Sequence, residues 1–431
     1  MITESNKAVF SRRREIEKRN ELKVALNLTE DVFDKIFSLT ATVKRGECKK
    51  EAGEIVYGGT VTFNAVFSAE ETDRVEVGAK FTFKTADDGE GDRCSITYKT
   101  ENVEVRSEGG MLYATCDLIA EITLFYEEEK EYLSFTDVLF KSGTITVNHG
   151  VPFEKEFSVE DEFTAKRIKR ALLSDSEAIV TAVSCGDDFV TVDGEVVLNV
   201  CLLPFSENSD ILKETRIIPF RFEIEADGVP RDGVSFARAA AEKTELKIFV
   251  DENAGKTTVS SEVYVRIEGE AYYQTLQNCV ADAYSPDQKI DLRFEEITDR
   301  AAVSFESGSE RVNKKAVCEV PEYSRLVRII GERTDDLTFR KEEDDLVIEG
   351  VIGGTAIFSD SDNALVSSAL KMPFSFTTRC ETDAEMVSVV IENFAAKIRS
   401  GAIECDATLR YSYFKTASAE EKIVVSAVSG G

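Results

Sequence analysis

Residues 112–124 read LYATCDLIAEITL, with Leu112, Ala114, Cys116, Leu118, Ala120, Ile122 and Leu124 at alternate positions and Thr115, Asp117, Glu121 and Thr123 among the residues between them. Period-two alternation places the two sets on opposite faces of a strand, so the stretch predicts a long β-strand with one buried face and one wet face. Two further stretches repeat the pattern. In 259–271, VSSEVYVRIEGEA, the residues Val259, Val263, Val265, Ile267 and Ala271 oppose Ser260, Glu262, Arg266, Glu268 and Glu270. In 403–411, IECDATLRY, the residues Ile403, Cys405, Ala407, Leu409 and Tyr411 oppose Glu404, Asp406, Thr408 and Arg410. Antiparallel sheets covered on one side produce this alternation.

Outward from these strands, two further marks recur in fixed order. Gly59 opens GTVTFNAVF, Gly194 opens GEVVLNVCL and Gly350 opens GVIGGTAIF. KFTF follows at 80–83, PFRF at Pro219 and Phe220, and PFSF at Pro373 and Phe374, with the first Phe 22, 26 and 24 residues after its glycine. Such self-similarity indicates three tandem copies of one unit. Each copy also carries a short apolar stripe at helical spacing: Val32, Phe33, Ile36 and Phe37 behind Thr29, Glu30 and Asp31; Ile168, Ala171 and Leu172 behind Ser158 and Asp161; Leu326, Val327 and Ile330 behind Pro321. Caps, acids and proline ahead of such a stripe are helix-start signals. The sequence therefore predicts a mostly β fold of three tandem sandwich-like modules, each with one short helix. The modules are expected at 24–148, 149–300 and 301–431, behind a basic N-terminal arm at 1–23. The first boundary falls beyond the acidic run 127–131, because Asp137 and Ile145 stand eight apart as Asp282 and Ile290 do.

The chain of 431 residues is long enough for several cores and carries 81 acidic against 52 basic side chains, a net charge of −29. That sign disfavours nucleic acid. With one histidine, His149 in a turn-like Asn-His-Gly, and no tryptophan, the sequence offers no histidine dyad or multi-histidine metal centre. Nine cysteines without a CxxC read as reduced, mostly buried thiols, with Cys116 and Cys405 on the apolar faces of their strands. No apolar segment approaches the roughly 20 residues that span a bilayer, and the N-terminus lacks the apolar core of a secretory signal.

Three local features invite chemistry. AGKT at 254–257 lacks the glycine spacing of a phosphate loop and reads as a hairpin turn. Asp87, Asp88, Glu90 and Asp92 could offer oxygens to calcium, but at no EF-hand spacing, and read as a solvated loop. Arg12, Arg13 and Arg14 make the N-terminal arm basic in an acidic chain, which suggests a solvated extension or an electrostatic clasp within or between chains. No catalytic, cofactor-binding or metal-ligating residue is assigned, and no cofactor is expected.

The helical stripe, the glycine-started strand, the Pro-Phe strand start and CVADAYSPDQKIDL at 279–292 together resemble the SPOCS-domain family of spore-forming bacteria. The likeness is strongest over 157–292, weaker over 24–148, and rests in the third unit mainly on Gly350, Pro373 and Phe374. It implies a non-catalytic structural or interaction component of spore-envelope (coat) assembly, cytoplasmic on the mother-cell side of the forespore. Partners would be proteins, among them spore-coat assembly proteins, with no nucleic acid, no membrane span and room for a homo-oligomer. The LysM module found in the family has no counterpart before this chain stops at SAVSGG, which leaves the partner open. Two other readings stand beside it: a cytoplasmic protein-binding module unrelated to sporulation, and an enzyme with a site assembled between modules.

Overall fold

The computed structural model describes residues 2–29, 35–68, 72–91, 93–205, 211–251, 255–322, 324–361 and 364–430. Among them every regular element is a strand. Unit 1 holds β1 (Thr3–Thr29), β2 (Lys35–Glu51), β3 (Glu54–Ser68), β4 (Thr72–Ala86), β5 (Arg93–Glu108) and β6 (Met111–Thr136). Unit 2 holds β7 (Leu139–Lys166), β8 (Ile168–Cys185), β9 (Phe189–Pro204), β10 (Leu212–Glu225), β11 (Val234–Asp251) and β12 (Lys256–Tyr284). Unit 3 holds β13 (Lys289–Ala316), β14 (Arg325–Glu342), β15 (Asp345–Ser359), β16 (Leu365–Arg379), β17 (Asp383–Arg399) and β18 (Ala402–Gly430). Each unit forms the same two antiparallel three-stranded sheets: the second to fourth strands make a meander, and the last strand runs between the first and the fifth. Gly109 and Gly110, at φ +61° and +79°, turn β5 into β6 where a side chain would be strained.

The two sheets of each unit share one core, drawn for example from Leu22, Phe63 and Leu118 in unit 1, Val196, Leu198 and Val265 in unit 2, and Ile348, Phe376 and Leu409 in unit 3. The apolar faces read from the sequence lie in these cores, including Cys116 and Cys405, and in unit 1 the face continues through Ala120, Ile122 and Leu124 into an adjoining cluster with Ile55, Tyr57 and Ile96. Those two cysteines stand five and three residues into their strands, so they share a face rather than a position.

The spacing of Gly and Phe also has a structural cause. Gly59 pairs with Phe81, Gly194 with Phe220 and Gly350 with Phe374 across the meander hairpins. A Cβ on Gly194 would stand 2.2 Å from the Phe220 ring and 2.5 Å from the Ile179 carbonyl; one on Gly350 would stand 2.6 Å from the Phe374 ring. The glycine leaves room for the ring, and the differing separations are absorbed by connections of differing length at the hairpin ends. Pro219 and Pro373 lie exposed on the edge strands β10 and β16, where a missing N–H is tolerated.

The expected short helices are not present among the described residues. Glu30 to Phe33 lie outside the described residues, but Ile36 and Phe37 are in β2, Ser158 to Leu172 run through β7 and β8, and Leu326 to Ile330 are in β14. The apolar neighbours that suggested a helical stripe arise from β-bulges at one position in all three units, between Ile36 and Ser38, Ala171 and Leu173, and Leu326 and Arg328. A bulge inserts one residue and re-aims side chains. Ile36, Ala171 and Leu326 face their own sandwich cores. Phe37, Leu172 and Val327 turn the other way and meet in a core common to all three units, against Val66, Cys201 and Ile357, each seven residues after its repeat glycine.

At the other end the long strand pairs β1/β6, β7/β12 and β13/β18 extend beyond the sandwiches as three ribbons. They pack on one another through Phe10 and Tyr132, Ile145 and Val147, and Ile297 and Ile423. Residues 148 and 300 accordingly fall inside β7 and β13, and residues 3–23 form most of β1, paired along β6, rather than a separate arm. The strand pattern repeats from residues 3, 139 and 289. No described helix is long and apolar enough to cross a membrane.

Phe220 and Phe374, 7% and 2% exposed, fill the space their glycines leave. Phe220→Ala and Phe374→Ala are each expected to cost about 3–5 kcal/mol in urea melts of the whole chain. Substitutions without cost would place these rings outside the cores.

Candidate functional site

The polar face of β12 departs from the sequence expectation of a wet surface. Arg266, Glu268 and Glu270 are buried, because this face turns toward the axis about which the three units are arranged. There it helps line a cavity of about 1140 Å³ to which every unit contributes. Six arginines and one lysine meet eight acids in its wall, near parity in a chain whose acids otherwise far outnumber its bases.

The node joining the units is Asp299 of β13, itself buried. Its carboxylate accepts from Arg12 Nη1 at 2.6 Å, from unit 1, and from Asn148 Nδ2 at 2.7 Å, from unit 2. Gln274 Nε2 donates to the Asn148 side-chain oxygen at 2.9 Å and fixes that amide. A second layer joins units 1 and 3: Glu385 pairs with Arg13 and, at 2.7 Å, with Arg300, while Thr416 Oγ1 donates to it at 3.0 Å. A third joins units 1 and 2: Glu268 takes Arg45 at 2.9 Å, Arg238 at 2.5 Å and the Ser95 hydroxyl at 2.6 Å. Burial works against ionising Glu268, but Arg238, Ser95 and Arg45 outweigh it and hold the carboxyl below its ordinary range. Among the described residues no such cation is bonded to Glu270. It accepts from the Tyr272 hydroxyl at 2.6 Å, and burial pushes its pKa up.

The three arginines of the expected arm therefore serve three different places in one chain. Arg12 holds Asp299 and Glu128, Arg13 holds Glu385, and Arg14 reaches Asp87 at 2.6 Å. Asp87 also takes Lys50 at 2.8 Å, so the first oxygen donor of the acidic loop is engaged by two cations; Asp92 lies outside the described residues. Among the described residues no group of three or more histidine, cysteine or acidic side chains could hold a metal ion. His149 is adjacent to Asn148 but points to the other face of β7, where Nε2 meets Thr275 Oγ1 at 2.8 Å and the ring stacks on Tyr273. Gly255 stands in the turn between β11 and β12, while Ala254 is outside the described residues. Gly59, Gly194, Gly350, Pro219, Phe220, Pro373 and Phe374 belong to the sandwiches, away from the cavity wall.

The cavity residues escaped sequence reading because alternation tells which side chains share a face but not what covers it. One signal was present: in 266–270 the charges alternate Arg, Glu, Glu on a single face, a density suited to partners across an interface. The fold defines a class, a three-unit β-sandwich protein whose polar strand faces surround a common axis. Comparison with family models, curated proteins and solved structures returns no match.

Two predictions follow from this geometry. Asp299→Ala leaves the Arg12 guanidinium with Glu128 but takes the acceptor from the buried Asn148 amide, and is expected to cost about 1–3 kcal/mol, with Arg12→Ala/Asp299→Ala costing less than the two single losses summed in denaturant melts. Between units 2 and 3, Glu177 accepts from the Ile391 amide at 3.3 Å, and burial, with Asp175 next, raises its pKa to about 8. From about pH 4.5 to 8 the folded chain retains a proton there that the unfolded chain releases, so this group's contribution to stability falls as pH rises. Glu177→Gln should be the more stable protein at pH 8, by on the order of 2 kcal/mol, less than full linkage because the residue keeps some solvent contact. At pH 4 the two proteins should melt alike.

Proposed function

We propose that this chain is a non-catalytic tandem β-module protein that works through contacts with a protein partner, in the setting its resemblance to the SPOCS-domain family implies, spore-envelope assembly on the mother-cell side. The observation that carries the contact role is the free end of the three-ribbon bundle. There Ile2, Leu139, Tyr284 and Val428 are each at least 60% exposed, and Phe135 and Phe140 stand edge to face at 5.7 Å beside them. Apolar side chains concentrated at one end, with exposed Asp137, Lys141, Asp282 and Lys289 between them, have the make-up of a protein contact with a polar rim. The acidic balance of the chain opposes anionic lipid and nucleic acid as alternatives.

The inter-unit cavity favours the second reading, an enzyme with a site between units. Its charges are largely paired with one another, which weighs toward holding the units together.

The test is a Leu139→Asp/Tyr284→Asp variant compared with the parent chain in sporulating and growing cells. Both should melt alike, and only the parent should co-elute with spore-coat assembly proteins, during sporulation. Production confined to vegetative growth, equal co-elution of the variant, or binding of the pure protein to anionic vesicles would overturn the proposal.

A further inference from the structure

Cys48 of β2 and Cys94 of β5 are 46 residues apart in sequence, and their sulfurs stand 3.0 Å apart. The two strands belong to different sheets of unit 1, so the pair spans its sandwich. Closing to a disulfide at about 2.05 Å needs roughly 1 Å of approach. Neither residue is fully buried, in contrast to Cys116, Cys201, Cys279, Cys380 and Cys405. We propose that Cys48 and Cys94 are a reversible disulfide site that takes a low-molecular-weight disulfide as oxidant and cross-links the two sheets of unit 1.

The surroundings supply the chemistry. The Cys48 thiol donates toward the Cys94 sulfur, and this bond, assisted by the positive charges of Arg45 and Lys50, lowers the pKa of Cys94 against the effect of burial. The same bond, with burial, raises that of Cys48, so Cys94 is the attacking sulfur. Cys94 also lines a small cleft beside Arg93, whose Nη2 donates to the Pro152 carbonyl at 3.1 Å, while Arg238 in the same cleft is paired with Glu268. The Cys94 thiolate attacks one sulfur of the reagent, breaking its S–S bond and expelling one thiolate. Cys48, losing its proton to water, then attacks the Cys94 sulfur of the mixed disulfide and expels the second. Two protein thiols are oxidised by two electrons, and the reagent is reduced to two thiols. In a reducing compartment such a bond is transient, as befits a sensing or regulatory pair.

Oxidised glutathione serves as the probe on the whole native chain, followed by alkylation and non-reducing peptide mapping. The expected product is one Cys48–Cys94 linked peptide pair, formed at least about tenfold faster than any modification of Cys116 or Cys405. It should raise the melting temperature by a few degrees, on the order of 3 °C, and dithiothreitol should reverse the shift. Cys48→Ser should stop at glutathione bound to Cys94, whereas Cys94→Ser should leave Cys48 unmodified over the same time. Glutathione retained on Cys94 of the unsubstituted chain, or a linked pair involving other cysteines first, would overturn the proposal.

Discussion

Asp299 makes three similar sandwiches into one molecule. Its carboxylate, buried on the common axis, takes Arg12 from unit 1 and Asn148 from unit 2 while belonging to unit 3 itself. Removing Arg12 would leave a buried carboxylate held by a neutral amide without its charged partner, which is costlier than never burying it. The layers around Glu385 and Glu268 are built alike, each carboxylate taking one arginine from unit 1 and one from its own unit. Apolar packing alone fixes orientation loosely; a charge that must find its partner across the axis specifies the arrangement of the three units, at some cost in stability.

Around that axis the units use one device at each end. At one end a bulge in β2, β8 and β14 diverts a single apolar residue out of its sandwich, so the three units bury Phe37, Leu172 and Val327 together. At the other, strands of 26 to 29 residues run past their sandwiches and pack as three ribbons. Two-stranded ribbons bury too little on their own, and three together supply the missing face. The ends of these ribbons expose the apolar side chains on which the proposed contact rests.

The bulges also show how a sequence signal can mislead. An apolar residue facing the sandwich next to an apolar residue facing the junction gives adjacent apolar positions, and with the next inward residues these imitate the i, i+3, i+4 spacing of a helix. Ala171 and Leu172 are such a pair, one in the core of unit 2 and one at the junction. Neither the helix nor the wet face of β12 could be judged from local pattern, because both depended on a second burial surface supplied by other units. The same holds for Cys48 and Cys94, which no motif joins and the sandwich brings together.

The sequence by itself determined the strands, their inward faces, the threefold repetition and the Gly–Phe marks, because period-two alternation and a glycine opposite a ring are local requirements of a paired strand. Tertiary structure alone decided where a repeat begins, which polar faces are buried and which charges meet. Arg12 and Asp299 lie 287 residues apart, and only the packing of the three units around one axis brings them to 2.6 Å.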